Sequence, residues 1–462
     1  MPPPELLLTA LRDAPRRYRM PALPPDAGAA SDGGAEVALA HAIEAARTAA
    51  DASTLQAAPL RHLFTRALAA LIAEALVPGG GDPAFQALAL RARDPDVDEH
   101  VRLAAQHVAD RRAVRAALDP VGHPGRLRAV PDDDTRRALS ALHALALDGA
   151  WTTLRGHGAA LLERGVLPDE TRDVLQGLLM HAGLQRLARA ETLRTRAAVR
   201  HYQELCERRG PAAGSQAAAA QGRAAARTGG EAEEDTVRAF RRIAQLLKAH
   251  DASAAAYRAV ASLRTPRGFP GAPDKAKDEW DAAIVCPAGD TAGAGIALLA
   301  EVKAAPAAAA PDFARLLRGL QRLAQADPGE SYLFPSADGE LRISGRSLRE
   351  LAPAGQALPP HVVYCSSAAP ESPVQMLSAA SKAVLLSEPA SLAFAQALTR
   401  GETPDPGALL PVWDALPRAP QLRSALHQYD TARAVREAML HPHDLLQAVE
   451  AAATATGTRR RG

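Results

Sequence analysis

Between Asp281 and Lys303 the chain runs apolar, turns through glycines, and runs apolar again. Residues 281–286 and 296–303 are strand-like, and Gly289, Gly293 and Gly295 punctuate the stretch between them, so a β-hairpin is expected. A register centred on Thr291, in the middle of the turn, sets Asp281 opposite Glu301. Side chains alternate faces along a strand. Asp281, Ala283, Val285, Ala297, Leu299, Glu301 and Lys303 are therefore expected on one face. Ala282, Ile284, Cys286, Ile296, Leu298, Ala300 and Val302 are expected on the other. Both faces are apolar except at one end, which gathers two carboxylates and a lysine.

Carboxylates facing each other across neighbouring strands repel unless a positive charge stands between them. Mg²⁺ or Mn²⁺ meets that need with oxygen ligands, taking one or two carboxylates and keeping waters or a substrate phosphate. Such an ion activates water and offsets charge growing on a scissile phosphate. Lys303, two residues beyond Glu301, is placed to orient that water or stabilise the transition state.

Asp281 at a strand start, a glycine-rich hairpin, and Glu301-Val302-Lys303 near the end of the next strand resemble the PD-(D/E)XK nuclease superfamily. The resemblance covers about residues 231–370, and the proline that gives the family its name is replaced by Trp280. It implies a restriction-endonuclease-like α/β core in which Asp281 and Glu301 ligate the metal, the Val302 carbonyl adds a ligand, and Lys303 acts on the reacting phosphate. It also implies an acidic residue on a helix ahead of the sheet. Glu233 and Glu234 both qualify in the run 231–235. Glu234 is favoured narrowly, because apolar residues follow it at three and six positions. Gln321, bordering the apolar stripe Phe313, Leu316, Leu317 and Leu320, matches a glutamine that the family often places near its site. The activity implied is metal-dependent hydrolysis of phosphodiester bonds, in DNA rather than RNA, as in restriction or antiphage defence.

The rest of the chain sets the context. Its 462 residues suggest several folded units. Residues 1–35, rich in Pro, Gly and Ala, read as a flexible N-terminus. Residues 36–209 read as an all-helical domain that recognises substrate or a protein partner. Residues 210–230 read as a linker or a weak helical spacer, 231–400 as the nuclease-like domain, and 401–462 as a helical extension with a flexible tail. The fold class expected is thus multidomain, α followed by α/β. Pro95-Asp96, Pro131-Asp132 and Pro168-Asp169 look like helix starts at spacings of 36 and 37 residues, a hint of stacked helix pairs.

Several classes drop out. The chain carries 54 basic and 52 acidic residues, so charge alone predicts no strong polyanion binding. Only 5 of the basic residues are lysine against 49 arginine, a bias of composition rather than a nucleic-acid signature. The apolar run from Ala67 to Val77 is broken by Glu74 and is too short to span a bilayer. The N-terminus does not read as a signal peptide. Cys206, Cys286 and Cys365 form neither a disulfide framework nor a zinc motif. A cytoplasmic location with no membrane contact is expected. His441, Pro442, His443 and Asp444 read as a helix start rather than a metal site. Arg186, Arg189, Arg194, Arg196 and Arg200 read as a solvated helix face. The competing functional class is a helical protein-interaction scaffold carrying an inactive nuclease-like domain.

Overall fold

The computed structural model describes residues 4–49, 58–211, 214–250, 257–287 and 293–459. The chain forms two compact units. One is built from residues 1–71, 214–388 and 405–462, the other from 72–213 and 389–404.

The second unit is helical. Its core gathers Val114, Leu118, Leu142, Trp151, Leu175 and Leu187 from successive helices. All three proline-acid signals do open helices, with different caps. Asp94 caps ahead of Pro95, Asp132 caps the helix Asp133–Asp148, and Pro168 itself stands at the cap of Asp169–Met180. The arginines of the helix Ala182–Leu193 are not simply solvated. Arg186 pairs with Asp110, and Arg189 with Glu99, both on the neighbouring helix Pro95–Gly122.

The first unit holds the mixed sheet. The strands of the sheet and the helices that bear on it are, in chain order, α1 (Glu5–Asp13), α2 (Gln216–His250), β1 (Arg258–Arg264), β2 (Glu279–Pro287), β3 (Ala294–Val302), α3 (Phe313–Leu323), β4 (Ser331–Ser336), β5 (Gly339–Ser344), β6 (Val362–Cys365), α4 (Gln428–Glu437), β7 (Met439–Leu440) and α5 (Pro442–Arg459). β1, β2 and β3 form an antiparallel meander. After α3 the chain returns as β6, parallel to β3, and β7 extends the sheet beyond β6. The hairpin β4–β5 joins the first part of β3 through β5.

Helices cover both faces. Leu7 and Leu11 of α1, Phe240 and Ile243 of α2, and Leu445 and Val449 of α5 pack with Ala282, Ile284, Leu298, Ala300 and Val302. Phe313, Leu316 and Leu320 of α3 pack with Trp280, Ala283, Val285, Leu299, Val362 and Tyr364. This accounts for strands that are apolar on both sides.

Besides the helical domain, which starts at residue 72 rather than 36 and takes in 389–404, three differences from the sequence reading concern boundaries. The N-terminal segment is held in the fold rather than loose: Leu7, Ala10 and Leu11 are buried. The Tyr18 hydroxyl lies 2.7 Å from the carbonyl oxygens of Ser366 and Ala368. The stretch read as a linker belongs to α2 from Gln216 onward, because its alanines are strong helix formers and continue an existing helix. Residues 405–462 are part of the sheet-bearing unit, supplying α4, β7 and α5, rather than an appendage.

A fourth difference concerns register. Ala282 pairs with Ala300, Ala283 with Leu299 and Ile284 with Leu298, as the symmetric register requires. Val285 then pairs with Ile296, leaving Ala297 as an extra residue in β3. This bulge reverses the alternation beyond it. Ile296 therefore packs on the α3 side and Ala297 on the α2 side, the reverse of the expectation. Residues 288–292, among them Thr291 on which the expected register centres, lie outside the described residues.

Candidate active site

At the end of β3 away from the bulge, the register carries Asp281 opposite Glu301, one step past the pair Ala282–Ala300. On the other side of β3, Glu301 pairs with Tyr364 of β6. Glu301 is only 2% exposed, so its carboxylate needs partners. It has two. Lys277 Nζ lies 2.5 Å from Glu301 Oε2, and Lys303 Nζ lies 2.8 Å from Oε1. Lys303 also reaches Asp312 Oδ2 at 2.9 Å, just ahead of α3. Asp281 lies within hydrogen-bonding reach of Glu301 and accepts a 2.7 Å bond from the Val302 N–H. A strand residue points its N–H and C=O to the same edge, so the Val302 carbonyl is directed to the β2 edge of β3, as its N–H is. The Val302 side chain packs on the opposite face.

The electrostatics follow from this crowding. Burial, reinforced by the charge on Asp281, raises the Glu301 pKa to about 7. Burial also raises that of Asp281, opposed by Lys277 and the Val302 N–H. Burial alone would lower the Lys303 pKa, but Glu301 and Asp312 outweigh it and hold it above the ordinary value. Asp312 shows the converse: burial pushes it up, and Lys303 more than reverses this. The Tyr364 hydroxyl is buried beside this group without a hydrogen-bond partner among the described residues, its pKa raised by burial and by the carboxylates of Glu301, Asp312 and Asp281.

Two sequence-predicted residues do not join the cluster. The charge of α2 that acts on Asp281 is Glu233, not Glu234. Glu233 is likewise raised by burial, then by Glu279 and Glu301. Its neighbours at three, four and seven positions, Thr236, Val237 and Phe240, are all buried, which sets it at the edge of the buried stripe. The corresponding neighbours of Glu234 include the exposed Arg238 and Arg241. Gln321 is exposed on α3, and the contribution from this part of the chain is Asp312 instead. Sequence reasoning missed Lys277, Asp312 and Tyr364. Lys277 had a signal: it is one of only five lysines in an arginine-dominated chain.

Among the described residues no group of three or more His, Cys, Asp and Glu side chains is arranged to hold a metal ion. The oxygen groups that could hold Mg²⁺ or Mn²⁺ here would be the two carboxylates of Asp281 and Glu301 with a backbone carbonyl, a set that would suit an ion keeping several waters. Four carboxylates, Glu233, Asp281, Glu301 and Asp312, act on two lysines, and a divalent charge would offset the excess. No described helix is long and apolar enough to cross a membrane. No protein-family model, curated protein or solved structure matches the chain.

Proposed function

We propose that the sheet-bearing unit is a metal-dependent nuclease of the PD-(D/E)XK kind, hydrolysing phosphodiester bonds in DNA rather than RNA. The observation that carries this reading is the buried meeting of Asp281, Glu301 and Lys303 at the ends of two paired strands. The order of elements around them supports it: a helix carrying the acidic run 231–235, then β1, the strand with Asp281, the strand with Glu301 and Lys303 just past its end, then a helix. A divalent cation held by Asp281 and Glu301, with the Val302 carbonyl, would supply an activated water and charge neutralisation at phosphorus. Asp312 and Glu301 hold the Lys303 ammonium at a point where its side chain keeps 20% exposure. From there it can stabilise charge on the phosphate oxygens. Glu233, exposed on α2, would bias the same site toward cations. The helical unit would recognise substrate or a partner, in a restriction or antiphage setting in the cytoplasm.

One observation favours the second reading, an inactive domain on an interaction scaffold: Glu301 already has two ammonium partners. Cleavage assays separate the two. The full chain is incubated with plasmid, linear and single-stranded DNA and with RNA, in Mg²⁺, Mn²⁺ or chelator. Metal-dependent cleavage of DNA is expected, falling roughly 10²–10³-fold in Lys303→Ala, the scale for losing one preorganised donor. Asp281→Ala should cost at least as much. Undiminished cleavage by Lys303→Ala would remove that lysine's role, and no cleavage of any substrate by the unaltered chain would sink the nuclease reading.

A further inference from the structure

Lys277 lies outside the motif that the proposed activity uses, yet it is the more deeply buried of the two lysines on Glu301. Its side chain is 7% exposed, against 20% for Lys303. Its seat is built from several directions. The Lys277 N–H donates to the Arg315 carbonyl of α3 at 3.1 Å. Gly319 of α3 faces it without a side chain, and a Cβ there would stand 2.8 Å from the Lys277 carbonyl oxygen. The ammonium lies 6.0 Å from the ring centroid of Trp280, itself fully buried, within the range of a cation–π contact. Two residues earlier, Lys275 adopts φ +52°, a left-handed conformation that side-chain-bearing residues seldom take. The chain is thus bent and docked so that one positive charge meets Glu301 Oε2 at 2.5 Å.

That position has a consequence for any cation that Asp281 and Glu301 share. We propose that Lys277 is an internal counter-ion that competes with the divalent cation for Glu301, keeping the metal-free site closed and its metal affinity low. The inference rests on the metal-binding reading above and deepens it. With Lys277 against Oε2 and Lys303 against Oε1, each oxygen of Glu301 already faces an ammonium, whose charge repels an approaching dication. Lys303 is tied on its far side to Asp312, whereas Lys277 has the apolar face of Trp280 behind it. Lys277 is therefore the charge whose displacement frees Glu301.

The test is a direct measurement of Mn²⁺ binding by calorimetry on the full chain, with no substrate present. Lys277→Met keeps the aliphatic stem against Trp280 and Gly319 and removes the charge. Lys277→Gln serves as a second neutral variant should the first fail to fold. Either folded variant is expected to bind Mn²⁺ at least about tenfold tighter than the unaltered chain, since a unit charge at contact distance is removed from beside a dication. The neutral variants should also melt lower than the unaltered chain in chelator, with the deficit closing as Mn²⁺ is added. Equal or weaker Mn²⁺ binding by a folded neutral variant, with binding by the unaltered chain, would overturn the role of Lys277 and leave the metal site standing. Absence of Mn²⁺ binding in all three proteins would overturn the metal reading and this inference together.

Discussion

Glu301 and His361 make opposite demands on pH. Burial, then the charge of Asp281, raises the Glu301 pKa from 4.5 to about 7. Between those values the folded chain keeps a proton that the unfolded chain has lost. Stability from this group therefore falls as pH rises through the window, and the full penalty stands above it. His361 is 5% exposed, its Nε2 has no hydrogen-bond partner among the described residues, and burial lowers its pKa from 6.5 to about 4. Here the unfolded chain binds the extra proton, so stability is full above pH 6.5 and is lost as pH drops toward 4. Two variants separate these effects in denaturant titrations across the range. Glu301→Gln should gain on the unaltered chain as pH rises from 4.5 to 7, and His361→Leu should gain as pH falls from 6.5 to 4. A stability difference that stays flat with pH would contradict the assignment for that residue.

At the scale of elements, the parts that alternate or repeat were legible and the irregular ones were not. The strand ending at Cys365 and the hairpin of β2 and β3 follow from apolar runs and a glycine-rich turn. Ala297 could not be read as a bulge, because one alanine among apolar neighbours carries no mark of its extra place. β5 did have a signal that was passed over: Asp338 and Gly339 form a hairpin dipeptide, and Leu341 and Ile343 alternate with Glu340 and Arg342. β7, at two residues, is too short to show any period. The acidic end of the hairpin was legible in kind, but its partners were not. Lys277 and Asp312 reach Glu301 and Lys303 through the docking of α3, a tertiary contact with no local pattern. Gly319 tests that docking. A glycine-to-alanine change inside a helix ordinarily gains up to about 1 kcal/mol. Here the new Cβ would meet the Lys277 backbone at 2.8 Å, so α3 or the Lys277 segment must shift. Gly319→Ala is expected to lose about 1–3 kcal/mol, the usual cost of overpacking, when measured by denaturant titration. A net gain would show that the contact yields freely.

At the scale of the molecule, the sheet-bearing unit is assembled from three separate lengths of chain. A fragment spanning residues 231–400, the domain that the sequence suggested, would lack Leu7, Leu11, Met439, Leu440, Leu445 and Val449, all buried in its two cores. At roughly 1.5–3 kcal/mol for each large aliphatic side chain, the loss is on the order of 10 kcal/mol, comparable with the whole stability of a domain. That fragment is expected to show no cooperative melting by circular dichroism, in contrast to the full chain. The scarcity of lysine gives this fold a reporter of its own. Lys248 and Lys275 are exposed, Lys382 and Lys303 are half-buried in pairs with Glu36 and with Glu301, and Lys277 is buried against Glu301. An amine-reactive footprint read by mass spectrometry would therefore contain only five lysine marks, two of them sited on one carboxylate. Any event that opens the cluster, whether a bound ion, a substrate or a partial unfolding, would be written as new labelling at Lys277 or Lys303 against three constant internal standards.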